Sequence, residues 1–255
     1  WEKGYVIPPT KPGLGVKLQA TKIRGIKSNG MLLSERELLL SDQHDGILEI
    51  NEHSKIGDPL TNHIKKNDPI VEVAITPNRS DALGVRGIAR DLSAANVGTL
   101  KSLEDIKLEG NFKIEKEISL NKDLKEDIYA SFVLIRNVKN CNSPLWLKDR
   151  LEAIGLRSIN ALVDVTNYLT YDLNRPLHVF DYDKIEKCLE IRKAKKDEKI
   201  IALDDKQYLL DESVTVITDE KGPESIAGII GGKRTGCNNE TKNVLIESAI
   251  WDKIN

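Results

Sequence analysis

Cysteine is scarce in this 255-residue chain: Cys141, Cys188 and Cys237 stand isolated and odd in number. No close pair suggests a zinc or redox site. A disulfide framework is not expected, which points to a reducing, cytoplasmic compartment. An excess of one charge is lacking too. The formal net charge is −2, so no global field favours nucleic acid or an anionic membrane, and only local patches remain open. No apolar run approaches membrane-spanning length, and no signal-peptide pattern opens the chain. The glycine-rich stretch AGIIGGKRTG has no GxxxxGK[ST] spacing and opens no dinucleotide-binding unit. The chain starts at Trp1 without an initiator methionine, in what reads as mid-domain sequence, and is expected to be a fragment.

What is present is a globular balance, 40% apolar and 31% charged, long enough for one large or two to three modest domains. Residues 1–75 hold short apolar runs broken by Gly, Pro, Asn and Asp. VKLQATKIRG, DGILEI and IVEVAIT read as strands, with SERELLL a short helical piece between them, as in part of a small β-barrel. Residues 76–128 change period. Ser80 or Asp81 is expected to cap a helix whose buried face is Val85, Ile88, Ala89 and Leu92, followed by a polar connection with a strand near Phe112–Ile118. Residues 129–255 read as a mixed domain. YASFVLIRNV is a strand. SPLWLKDRLEAIG is a helix started by Ser143-Pro144, with Pro144 at its first position and Gly155 at its end. INALVDVTNYLTYDL is helical in part, and VFDYDKI, CLEIRKA, EKIIALD, KQYLL, VTVITDE and NVLIESAIWD supply strands. The fold class expected is α+β and multidomain.

Several residues invite a functional reading beside a bland one. His178 is one of four histidines and sits in RPLHVFD. It is either a satisfied structural residue or a ligand-contacting group with a pKa near neutrality, its ring oriented by Asp181. Asn167 either bonds local backbone or fixes a polar substrate group. Ala227-Gly228 and Gly231-Gly232 are turns, or bare backbone that a ligand approaches closely. Arg79, Arg86 and Arg90 ride a solvated helix face, bind RNA backbone or meet another domain, and Lys233 and Arg234 meet water or RNA phosphates. Glu247 lies inside the apolar strand VLIESAIW. Burying its charge is costly without a partner, so it either faces water at a sheet edge or stands in a pocket wall, accepting a hydrogen bond from a ligand.

These stretches, in this order, resemble the beta subunit of bacterial phenylalanyl-tRNA synthetase. TPNRSDALGVRGIARDL resembles that family's TPNRxDxLSxxGxAREx, and LEAIGLRSINALVDVTNYLTYDLNRPLHVFD its RPINNxVDVTNYxxxExGQPLHAFD. SIAGIIGGKRTGCNNETKNVLIESAIW resembles LAGIMGGxxTGVxxxTxNVxxESAxF, and KIRGIKSNGMLLSERELLLSDQHDGILEI the later half of the family's tRNA-binding OB domain. The resemblance implies a partial OB-like domain at 1–75, a B1-type segment at 76–128 and a B3/B4 editing domain at 129–255, truncated at its C-terminal end. That domain hydrolyses tyrosine wrongly attached to phenylalanine tRNA. The resemblance puts the pocket threonine and asparagine at Thr166 and Asn167, the pocket histidine at His178 and the Ala-Gly pair at Ala227 and Gly228. The glutamate that recognises the tyrosine hydroxyl falls on Glu247, and Pro176 stands at the substrate.

Tyrosine exceeds phenylalanine by one hydroxyl, so a second site built to receive that group corrects leakage from the first. No serine or cysteine nucleophile stands in a convincing triad, and water is expected to attack the ester. His178, Asn167 and backbone N–H groups near Gly228 would act as catalytic groups by positioning. Arg79, Arg175, Lys233 and Arg234 are candidate RNA contacts. No metal site is expected and no cofactor in this chain, while ATP and Mg2+ serve the whole synthetase. The implied partners are the alpha subunit and tRNA(Phe), in an (αβ)2 heterotetramer with no membrane. Three departures from the pattern stand out: Ser158 for proline, Asn174-Arg175 for Gly-Gln, and Val179 for alanine, the last expected to narrow or tilt the pocket. The rival reading is a non-catalytic tRNA- or protein-binding scaffold with an inert pocket.

Overall fold

A computed structural model describes residues 5–6, 16–17, 20–38, 40–41, 43–50, 54–63, 69–104, 106–124 and 128–251. The chain divides into two compact units, Trp1–Pro69 and Ile70–Asn255. In the first, β1 (Tyr5–Val6) pairs with β2 (Val16–Lys17) and β3 (Thr21–Ile23) with β4 (Ile26–Ser28), both antiparallel. Of the expected strand VKLQATKIRG, residues 18–19 lie outside the described residues, as does residue 39 of SERELLL, whose described part is turn rather than helix. DGILEI and, in the second unit, IVEVAIT form no strand, and Ile70 and Val71 are exposed. A strand exists only where a neighbour takes its backbone groups in a continuous ladder; here the described residues form isolated bonds instead, such as the Leu48 N–H to the Leu33 carbonyl at 2.8 Å.

The second unit opens with a 3-10 turn over Pro77–Ala82 and α1 (Val85–Ala94). Neither Ser80 nor Asp81 caps α1. Its N-cap is Gly84, and no side chain bonds there. The expected apolar face is not the buried one: Val85 and Leu92 are exposed, and the buried residue is Gly87. A Cβ on Gly87 would stand 2.3 Å from the Asp81 carbonyl oxygen, so backbone packing rather than an apolar stripe seats this helix.

β5 (Glu117–Leu120) and β6 (Tyr129–Ile135) lead to α2 (Leu145–Ala153), α3 (Ala161–Leu173) and β7 (His178–Asp181). Pro144 is the N-cap of α2 rather than its first residue. α3 runs the full length of its segment, capped by Asn160, whose Oδ1 accepts from the Val163 N–H at 3.1 Å. It stops at Asn174, at φ +54°. Asn is among the few residues with a side chain that take this left-handed conformation readily, which accounts for Asn174 where the family pattern has glycine. Then follow β8 (Cys188–Lys193), β9 (Glu198–Ile201), β10 (Gln207–Leu210), β11 (Thr215–Asp219), β12 (Gly222–Ile226), β13 (Ile230–Gly231) and β14 (Val244–Ile250).

Two sheets position the candidate site. One has order β13-β12-β11-β8-β5, antiparallel except where β5 runs parallel to β8; the other has order β6-β14-β7, all antiparallel. β11 is buried along its whole length, as expected of a strand covered on both faces. Residues directly opposite in an antiparallel pair share a face, so Leu134, Leu245 and Phe180 form one row across the smaller sheet. That row belongs to a buried cluster with Leu189, Ile191 and Ile217 of the larger sheet. The fold is α+β, with the core between the sheets.

Candidate functional site

Two residues along each strand, on the same face, the rule of alternation puts a second row, and it is not apolar throughout. Glu247 of β14 pairs with Phe132 of β6 on one side and His178 of β7 on the other. Glu247 is 6% exposed. Its side chain makes no hydrogen bond or ion pair with any described residue, and burial alone pushes its carboxyl up to about 7. The edge-strand reading of this glutamate therefore fails: β14 is the central strand, and the side chain is on the core face.

His178 is held on edge. Its ring meets Phe180 at 4.3 Å between centroids and 89° between planes. Gly231 lies against its other side, where a Cβ would stand 2.1 Å from Cε1. Nε2 is buried with no hydrogen-bond partner among the described residues. Burial lowers the imidazole to about 4, so the ring is neutral at physiological pH. Asp181 does not orient it. The Asp181 carboxylate accepts from Thr241 Oγ1 at 2.7 Å and the Asp183 N–H at 3.2 Å, and it pairs with Lys184.

The glycine turn joins β12 to β13. Ala227 is buried in the intersheet cluster. Gly228 sits at φ +71°, and a Cβ there would lie 2.5 Å from Trp251 Cδ1, so glycine is required twice over. The N–H groups of Ala227 and Ile229 are taken by Thr215 and Ile226 carbonyls. The Gly228 N–H makes no hydrogen bond among the described residues, which leaves it available to an incoming oxygen.

Thr166 and Asn167 stand in the middle of α3, which packs on β7. Thr166 is buried, and its Oγ1 donates back to the Val163 carbonyl at 2.7 Å. The Asn167 side chain is half-buried and bonds no described residue, so it caps no turn. Neither side chain hydrogen-bonds Glu247 or His178. Pro176 and Arg175 are exposed, and Arg175 has no ion pair among the described residues. Val179 lies on the opposite sheet face from His178, paired with Ile246, so it does not narrow the side that carries Glu247. Ser158, with Ser143 and the Ile159 N–H, satisfies the fully buried Asp164 carboxylate near the start of α3.

The remaining cations are engaged within the chain. Arg79 bonds Asp81 at 3.0 Å and Asp91 at 2.6 Å. Arg86 donates to the Lys101 carbonyl, and Arg90 pairs with Asp81. Lys233 pairs with Asp205 at the surface. Arg234 turns inward to Asp219 and Glu224. Phe132 and Trp251 join the cluster without having been singled out from the sequence. The period of two in YASFVLI, which puts Phe132 on the face of Leu134, was the available signal for the first.

The family model described as the B3/4 domain matches residues 128–255. The phenylalanine–tRNA ligase beta subunit of Brucella abortus (strain 2308) is 49% identical over 243 residues, 94% of this chain and 30% of that protein. That of Ruegeria pomeroyi is 49% identical over 249 residues, 95% of this chain and 31% of that protein. That of Cereibacter sphaeroides is 50% identical over 245 residues, 95% and 30% respectively. The chain thus spans about three tenths of the length of these curated relatives. Among solved structures, an N-terminal fragment of the phenylalanyl-tRNA synthetase beta-subunit from Pyrococcus horikoshii matches 69% of this chain and 54% of its own, at 19% identity and a TM-score of 0.43.

Proposed function

The chain belongs to the B3/4 domain family, in company with the phenylalanine–tRNA ligase beta subunits it matches, and from that premise we propose that residues 129–255 are an editing hydrolase. It clears tyrosine wrongly esterified to tRNA(Phe) by attack of water on the aminoacyl ester. The observation that carries this reading is Glu247, a buried carboxyl without a partner among the described residues. An unpaired buried carboxyl costs stability. The phenolic O–H of tyrosine donates to it, and phenylalanine leaves it unpaired. A hydrogen bond to a charged group contributes about 1.5–3 kcal/mol, enough for roughly ten- to hundredfold discrimination.

Water adds to the ester carbon, the bond from that carbon to the ribose oxygen breaks, the ribose oxygen leaves with one of the water's protons, and tyrosine departs as its carboxylate, the other proton passing to solvent. The chain supplies positioning. The Gly228 N–H donates to the developing oxyanion. Neutral His178 and the Asn167 amide hold the water and the substrate, while Thr166, Ala227 and Pro176 bound the aminoacyl group. A histidine lowered to about 4 is too weak a base to be the principal proton acceptor near neutrality, which favours the positioning role. Arg175, without an ion pair among the described residues, is the cation assigned to RNA, with Arg79 and Lys233 secondary.

The wider proposal is that the chain is part of a beta subunit acting with an alpha subunit and tRNA(Phe) in an (αβ)2 enzyme of the cytoplasm. No described helix is long and apolar enough to cross a membrane. ATP and Mg2+ would serve a synthetic site outside this chain. The described residues contain no group of three or more His, Cys, Asp or Glu suited to a metal ion, and no step above uses one. The test is Glu247→Ala in the assembled synthetase. Tyr-tRNA(Phe) clearance falls at least about tenfold, while phenylalanine attachment is unchanged. Equal clearance by variant and parent would sink the reading.

A further inference from the structure

His178 and the turn that touches it belong to different sheets. His178 stands on β7 of the smaller sheet and Gly231 on β13 of the larger. No ladder between described strands joins the two sheets, so their spacing at the site must be held by other means. The segment following β13 provides it. Arg234 Nε donates to Glu224 at 2.7 Å and Nη1 to the Lys184 carbonyl at 2.8 Å, while Nη2 reaches both Glu224 and Asp219. Glu224 lies on β12 and Asp219 ends β11, and both are buried, at 1% and 7% exposure. Lys184 lies just beyond β7. The adjoining residues repeat the link: the Asp181 N–H donates to the Thr235 carbonyl at 2.8 Å, and Lys184 Nζ to the Gly236 carbonyl at 2.7 Å. At the root of the turn, the Gly232 N–H donates to the Glu224 carbonyl at 2.6 Å.

We infer that Arg234 is a positioning residue: its guanidinium ties the sheet bearing His178 to the sheet bearing the Ala227–Gly232 turn, and so sets the geometry of the hydrolytic site. The catalytic consequence rests on the hydrolase reading above; the tie itself does not. A planar fork is needed because three acceptors lie in different directions. A lysine ammonium is a point charge that cannot reproduce the fork. The same contacts remove Arg234 from the RNA-facing cations, since its charge is met by two buried carboxylates.

The test is Arg234→Lys in the assembled, full-length synthetase. Glu224→Gln is its milder companion, because it keeps the guanidinium, the Asp219 pair and the Lys184 contact. Three quantities are measured: single-turnover deacylation of Tyr-tRNA(Phe), the salt dependence of tRNA affinity, and hydrogen exchange of the amides at 228–232. In Arg234→Lys, deacylation should slow by about 10- to 100-fold, the scale of a misplacement of about 1 Å. Exchange in the turn should quicken at least about tenfold, while tRNA affinity and its salt slope stay at parent values. Glu224→Gln should show smaller changes of the same sign. Parental exchange with a salt slope reduced by about one would make Arg234 a phosphate contact and overturn the inference; parental values throughout would overturn it as well. If the parent itself does not clear Tyr-tRNA(Phe), the hydrolase reading fails, and turn exchange alone decides the tie. Should Arg234→Lys not fold, exchange in Glu224→Gln decides: faster supports the tie, unchanged overturns it.

Discussion

Glu224 and Glu247 are almost equally hidden, at 1% and 6% exposure, and their surroundings are opposite. Glu224 is gripped by the Arg234 guanidinium at the junction of two sheets. Glu247 faces an apolar row with Phe132 on one side and an uncharged imidazole on the other. Burial pushes both carboxyls upward, and at Glu224 Arg234 opposes it. Burial alone therefore does not separate a structural acid from a binding one. The partner does: an acid paired with a cation of its own chain holds the fold together even though Glu224 Oε2 finds no hydrogen bond among the described residues, whereas one with no partner among them is poised for a donor from outside.

The largest effect should come from breaking the completed acid. Arg234→Met leaves Asp219 and Glu224 buried without a counter-charge, and breaking such a pair is destabilising by about 3–5 kcal/mol. Urea unfolding at pH 7 should show a midpoint lowered accordingly, with no matching loss for Glu247→Gln.

The incomplete acid sharpens the contrast through pH. Glu247 is raised from 4.5 to about 7 in the folded protein, so between those values the folded state holds a proton that the unfolded chain has released. The associated stability is fully present below pH 4.5 and is lost as pH rises through about 7, a difference approaching about 3 kcal/mol. Glu247→Gln should abolish that slope, so variant and parent diverge in the variant's favour between pH 5 and pH 8.5. Parallel curves would show that Glu247 is not the titrating group.

Activity should follow the same group. Clearance of Tyr-tRNA(Phe) at low substrate should rise with pH through about 7 as the Glu247 carboxylate forms and accepts the phenolic O–H, and Glu247→Gln should lose that limb. His178, lowered to about 4, contributes no limb near 6.5. His178→Ala should slow hydrolysis by roughly 10²-fold or less and leave the shape of the profile unchanged. A steep limb near 6.5 that disappears in His178→Ala, with a drop well beyond about 10³-fold, would make the histidine a general base.

The smallest effect should be at Lys233, one residue from Arg234 and paired with Asp205 at the surface. Lys233→Ala should leave the urea midpoint and turn exchange unchanged, because exposed pairs contribute little. A loss comparable to that of Arg234→Met would erase the distinction between inward and outward cations in this segment.

Much of the second unit is legible along the chain. YASFVLI, CLEIRK, VTVITD and NVLIESAI alternate or run as strands do, and each finds a hydrogen-bonded neighbour. DGILEI and IVEVAIT carry similar patterns and remain irregular. A pattern makes a segment competent to be a strand, and only a partner makes it one. Val179 shows the same limit at the site. Next to His178 in sequence it suggested a narrowed pocket, but adjacent strand residues point to opposite faces, and it lies behind the sheet.

The sequence by itself determined the chemical inventory: a glutamate inside an apolar strand, a histidine after Pro-Leu, a turn rich in glycine, and the motifs that resemble one family. Those are properties of composition and short-range order, and no folding event alters them. The tertiary structure decided which of these groups meet. Glu247 and His178 become neighbours through strand register, Gly231 reaches the imidazole only when a second sheet closes on the first, and Arg234 faces inward because Asp219 and Glu224 are buried behind it. Spacing along a chain encodes which face of an element a residue occupies. It does not encode which distant element covers that face, because that choice belongs to the packing of whole sheets.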